Sequence, residues 1–142
     1  MRLIHTILVL LLCILGLLIG LLIAPDPVAA TGQAHDLIPG MNVGGDGLAR
    51  LGGLGWMMLL LQSLTLLLIY ALIALGVSER YRSTQFWVLL GIGAALSMAV
   101  WWGLYFSYLA FLENGAGPVL FGYPLPTAFM LFGVFQIGRA HV

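Results

Sequence analysis

Apolar residues fall into four runs separated by polar or proline-marked interruptions, and the lengths of those runs set the architecture. Residues 3–24 are almost unbroken Leu, Ile and Val. At ~1.5 Å per residue this makes roughly 33 Å of helix, about the hydrocarbon thickness of a bilayer. A second run covers 54–77 and a third covers 86–112, the latter long enough to tilt or to project past the hydrocarbon. A fourth starts at Pro126 and stays apolar to Phe135, roughly 15 Å, or half a bilayer. The pattern predicts an all-α integral membrane protein with four transmembrane helices in two hairpins, the fourth truncated, forming a single membrane domain over 1–142.

The interruptions carry the stop signals. Pro25 and Pro27 end the first helix because neither donates a backbone hydrogen bond. The 25–53 segment is glycine-rich and holds Asp26, His35, Asp36, Asn42, Asp46 and Arg50, so it is expected in water. Asp46 and Arg50 are four apart, and a short interfacial helix over Gly47 to Leu51 would pair them for ~0.3–0.5 kcal/mol. Gly44-Gly45-Asp46-Gly47 lacks the Gly-Lys-Ser/Thr of a phosphate loop, and its glycines read as turns. Ser78 to Ser83 is a charged inner turn within the 78–85 connection. Residues 113–125 form the next turn, and Pro124 and Pro126 restrict the chain before the partial helix 126–135.

The first run also invites a signal-peptide reading, with Arg2 ahead of it and Val28-Ala29-Ala30 behind it as a small-residue cleavage site. Signal h-regions have about 7–15 apolar residues. This run is longer, and Gly16 and Gly20 form a small-xxx-small pair suited to helix packing in lipid. An uncleaved helix is therefore expected.

Composition strengthens the lipid reading. Apolar residues make up 62% of the chain and charged residues only 7%, against about 25% charged in a soluble domain. Such a chain cannot cover itself with a water-facing surface. Net charge is zero, which leaves no electrostatic footprint for nucleic acid and no polybasic patch for lipid. The single cysteine, Cys13, lies within an apolar run and reads as a packing residue. Arg2, Arg80 and Arg82 are expected on the cytoplasmic side against Arg50 outside. That places the protein in the inner membrane of a bacterium, multi-pass, with its N-terminus in the cytoplasm.

Chemistry-bearing residues are few. Gln62, Ser63 and Thr65, with Tyr70, are the polar side chains of the second helix, and in lipid they should face another helix. Gly91, Gly93, Ala94, Ala95 and Ser97 make a small-residue stretch on the third, with Gly91 and Ala95 the expected packing pair. Trp101, Trp102, Tyr105 and Tyr108 crowd the outer half of that helix. An interfacial belt accounts for them without a cofactor, while a quinone is the cofactor they would otherwise hold. Haem would need axial histidines on helices, and the helical candidate is His5, near a terminus. His35 beside Asp36 lacks the three or four convergent ligands of a metal site. No catalytic, cofactor or metal site is expected, and the helix interiors hold no ionisable group of the kind that marks an ion path.

The last residues, Gln136 to Val142, put an arginine at mid-membrane depth, where it would cost at least about 2.5 kcal/mol. Ile137-Gly138-Arg139-Ala140-His141-Val142 also matches one reading frame of a common sequencing adapter. Residues 136–142 are accordingly expected to be non-native.

The stretch from Trp101 through Phe121-Gly122-Tyr123-Pro124-Leu125-Pro126 carries the one family signal. An aromatic-rich apolar helix, a short outward turn, a Gly-aromatic-Pro element and a second apolar helix resemble the small accessory membrane proteins found with sodium:solute symporters. The resemblance spans roughly 86–135, with Tyr123 standing where those proteins usually carry Phe. It implies a subunit that assembles with a large transporter, with Gly122, Tyr123, Pro124 and Pro126 joining Gly16, Gly20, Gly91 and Ala95 as packing or partner residues. The expected function is a non-enzymatic accessory subunit whose partners are the lipid bilayer and a larger membrane protein. One alternative is a membrane anchor or quinone-site subunit of a respiratory complex. Another is a membrane enzyme using His35, Asp36 and Asp46.

Overall fold

The computed structural model describes residues 2–25, 32–44, 47–115 and 117–134. The expected Asp46–Arg50 pair, Asp26, the Val28-Ala29-Ala30 site and the 136–142 tail lie outside the described residues. The fold is mostly helical: α1 (Arg2–Ile23), α2 (Gly47–Gly76), α3 (Thr84–Asn114) and α4 (Leu125–Ala128), which continues as a π-helix over Phe129–Val134. Three helices, Arg2–Ile23, Gly53–Gly76 within α2, and Thr84–Asn114, are long and apolar enough to cross a membrane. The Leu125–Val134 segment is apolar and shorter.

Each helix packs chiefly on its neighbour in the sequence, so the helices form an open row. On α1, Leu3, Ile7, Leu10, Ile14, Leu17 and Leu21, with Gly20 beside the last, are less exposed than the rest of the helix. Their alternating spacing of four and three gives the narrow seam of left-handed helix pairing, and it lies against α2. The rest of the helix faces outward. Among the described residues the buried apolar side chains are Ala74 and Ala128, and the buried polar ones are Ser63 and Ser97. The row therefore makes seams between helices but no enclosed apolar core.

α2 begins at Gly47 rather than Leu54, taking up residues expected in the outer loop, and the expected short helix at Gly47 to Leu51 is its first turns. A Cβ on Gly47 would lie 3.1 Å from the Leu112 side chain. This close approach to α3 holds a glycine-rich stretch in helix against its propensity. α3 extends past the expected 86–112 at both ends because both ends are capped. Ser83 accepts a hydrogen bond from the Phe86 N–H at 3.2 Å, and Gly115 closes the other end at φ 66° with its N–H on the Phe111 carbonyl. Between α2 and α3, a 3₁₀ turn (Glu79–Tyr81) precedes Arg82, whose Nε donates to the Val77 carbonyl at 2.9 Å. The cation thus caps the negative end of the α2 dipole.

The connections also hold two small hairpins that the sequence pattern did not predict. β1 (Gln33–Ala34) pairs antiparallel with β2 (Asn42–Val43), and β3 (Val119–Leu120) with β4 (Tyr123–Pro124). In the first, His35 Nδ1 accepts the Leu37 and Ile38 N–H groups at 3.1 and 3.2 Å, and His35 N–H donates to the Met41 carbonyl at 2.8 Å. The loop histidine thus pins a turn.

Candidate functional site

The polar side chains of α2 separate by face. Ser63 Oγ donates to its own helix at the Leu59 carbonyl (2.7 Å) and accepts the Trp102 indole N–H from α3 (3.0 Å). One turn or more toward the other end, the Tyr70 hydroxyl meets Ser97 Oγ at 2.8 Å. Both serines are 6% exposed, so each buried hydroxyl has its partner across the α2–α3 seam. Such interhelical bonds contribute about 0.6 kcal/mol on average in membranes. Thr65 donates back to the Leu61 carbonyl at 2.8 Å, and Gln62 turns toward a groove.

That groove lies where α2, α3 and the π-helix meet. It has a volume of about 120 Å³ and is lined by Gln62, Leu66, Ser97, Val100, Trp101 and Val134. The Trp101 Nε1 atom is buried and has no hydrogen-bond partner among the described residues. An unmade hydrogen bond of this kind costs about 1–3 kcal/mol. The adjoining aromatics are fixed by packing: Phe106 sits edge-on to Trp102 and Tyr105 at centroid distances of 6.3 and 5.4 Å. A Cβ on Gly55 would come 2.8 Å from the Tyr105 hydroxyl, so that glycine gives Tyr105 its place against α2.

The expected packing residues divide in the same way. Gly20 faces α2, with Met57 Cε 3.9 Å from the position of a Cβ. Gly16 and Gly91 have nothing within 4 Å, and Ala95 is exposed. Within the chain, the close contact on α3 is made instead by Gly93 and Ser97, both against Tyr70, whose ring would lie 3.2 Å from a Gly93 Cβ. Gly93 and Ser97 are themselves a small-xxx-small pair, two residues on from Gly91 and Ala95. At ~100° per residue that offset selects nearly the opposite face of the helix.

Gly122, Tyr123 and Pro124 belong to the β3–β4 hairpin, and Pro126 lies in the first turn of α4. Leu120 pairs with Tyr123 across a two-residue turn in which Phe121 and Gly122 have φ of 52° and 83°. Positive φ at both positions is what a type I′ turn requires. The rings of Phe121 and Tyr123 both meet Phe132 edge-on, at 5.3 and 6.4 Å, and the Leu125 N–H donates to the Pro118 carbonyl at 3.0 Å. The hairpin is thereby clamped to the helix it introduces. Among the described residues no three His, Cys, Asp or Glu side chains converge.

Compared with known proteins, the chain matches no family model, no curated protein and no solved structure. Its fold alone defines its class: a mostly helical chain with three apolar helices suited to crossing a membrane.

Proposed function

We propose that the protein is a non-enzymatic, integral membrane accessory subunit that packs against a larger membrane protein, with a sodium-coupled solute transporter as the partner class. The open row of helices carries this reading. A row in which each helix meets chiefly its sequence neighbours leaves long apolar faces for another protein, and the described residues bury few side chains within it. Gly16 and Ala95 lie outward on those faces, where small residues let a partner backbone approach closely. The resemblance of the α3–hairpin–α4 region to symporter-associated proteins supplies the partner class. In this reading α4 belongs to a fourth span.

Orientation follows from the arginines. Arg2 and Arg82 line one cleft and so mark one end of the row, which is assigned to the cytoplasm of a bacterial inner membrane by the positive-inside rule. The test is purification in mild detergent. A stoichiometric multi-span membrane protein is expected to co-elute, and a monodisperse, stable monomer from the native membrane would overturn the reading.

A second reading has one specific observation behind it. The unpartnered Trp101 N–H in the Gln62 groove is a donor suited to a quinone carbonyl, as in an anchor or quinone-site subunit of a respiratory complex. If so, protein purified from quinone-replete membranes carries quinone absorbance that Trp101→Phe lowers about tenfold, the effect of losing ~1.4 kcal/mol from one buried hydrogen bond. Absence of quinone from the wild-type protein disposes of this reading.

A further inference from the structure

At the end of the row where α1 begins and α2 turns into α3, two cavities adjoin. One, of about 450 Å³, is lined by Arg2, Leu3, Thr6, Glu79, Arg82 and Trp87. The other, of about 220 Å³, runs along the helices and is lined by Leu3, Tyr70, Ala71, Ala74, Trp87, Leu90, Gly91 and Ala94. Leu3 and Trp87 belong to both, so a polar cleft with two guanidinium groups opens directly into an apolar groove.

The charges in the polar cleft do not cancel. Arg82 bonds to the Val77 and Leu75 carbonyls and stands 3.8 Å from Glu79. The carbonyls bear no net charge, and Glu79 is 88% exposed while Arg82 is 15% exposed. An ion pair so open to solvent is weak, so two cations face one solvated carboxylate. Arg80 is directed elsewhere, with its guanidinium over the Tyr81 ring at 4.6 Å.

We propose that these adjoining cavities seat one anionic phospholipid of the leaflet at this end, its phosphate between Arg2 and Arg82 and an acyl chain in the groove between α1, α2 and α3. Thr6, whose hydroxyl donates to the Arg2 carbonyl at 3.1 Å, lines the cleft beside Arg2, and Trp87 lies where the two regions meet, the depth at which indoles sit in membranes. Guanidinium groups suit phosphate because they present several donors in a plane. The apolar groove distinguishes a lipid from free phosphate, which would use only the cleft.

The test is native mass spectrometry of the full chain, purified in detergent and incubated with equal amounts of phosphatidylglycerol and phosphatidylethanolamine. The wild-type protein is expected to retain phosphatidylglycerol preferentially. Arg2→Gln should lower that preference about fivefold, the worth of one arginine near an anionic lipid surface. Arg80→Gln makes the same change in charge outside the cleft and should leave the preference intact. Gly91→Leu keeps every charge, fills the groove where a Cβ meets no neighbour within 4 Å, and should reduce retention of both lipids. Equal losses from Arg2→Gln and Arg80→Gln would overturn the proposal by showing a bulk charge effect. So would displacement of the lipid by inorganic phosphate, or retention unchanged in Gly91→Leu.

Discussion

Replacing Gly103 by Leu is expected to lift α4 from α3. A Cβ at Gly103 would stand 2.8 and 2.9 Å from Phe129 Cζ and Cε1. The ring can yield to a methyl group by turning, but not to an isobutyl group. The same seam is tight one turn further along, where a Cβ on Gly133 would run into the Val100 side chain, so the π-helix cannot slide to make room. Overpacking of this kind costs about 1–3 kcal/mol. Ala128, 1% exposed on α4, supplies the readout. In a Cys13→Ser background, Ala128→Cys should react slowly with a membrane-permeant maleimide, and adding Gly103→Leu should speed the reaction about tenfold or more, matching ~1.4 kcal/mol of lost docking. An unchanged labelling rate would show that α4 is not held by this contact.

The second large effect is expected at Gly122. With φ at 83°, a valine there would be strained by more than the ~1–2 kcal/mol of an ordinary residue in the left-handed region. Its branched Cβ would not fit a turn that also demands positive φ at Phe121. Gly122→Val should therefore lower the thermal midpoint by several degrees and unclamp Tyr123 and Phe121 from Phe132. Phe121→Asn is the informative contrast, since asparagine relaxes the turn while the ring contact with Phe132, worth about 0.5–1.5 kcal/mol, is lost. Its net change should stay within about 1 kcal/mol. A Gly122→Val protein as stable as the wild type would mean that the hairpin does not contribute to holding α4.

What could be read in advance follows from how each feature is encoded. The three long helices were legible because an apolar run of bilayer length has few other uses. The start of α2 was not, because Gly47, Gly52 and Gly53 fall in the stretch read as outer loop, and the contact that favours helix there, Leu112 on Gly47, comes from α3. The choice between Gly91/Ala95 and Gly93/Ser97 for the α2–α3 seam was likewise undetermined. Both are small pairs at the same spacing, and the distinguishing partner, Tyr70, lies on another helix. The one clue was that Ser97 carries a hydroxyl needing a partner in lipid and Ala95 does not. The turn at Phe121-Gly122 was recognised as a turn but not as type I′, since phenylalanine is an unusual first residue and is held there by a ring eleven positions later in the chain.

The open row of helices bears finally on how the protein is made. Because each helix packs chiefly on the one before it, no segment has to wait for a distant part of the chain before its partner exists. α2 can dock on α1, α3 on α2 and α4 on α3 in the order in which the ribosome delivers them. Assembly by such near-neighbour steps avoids the slow closure of long loops, and it gives each helix a packing partner as soon as it forms.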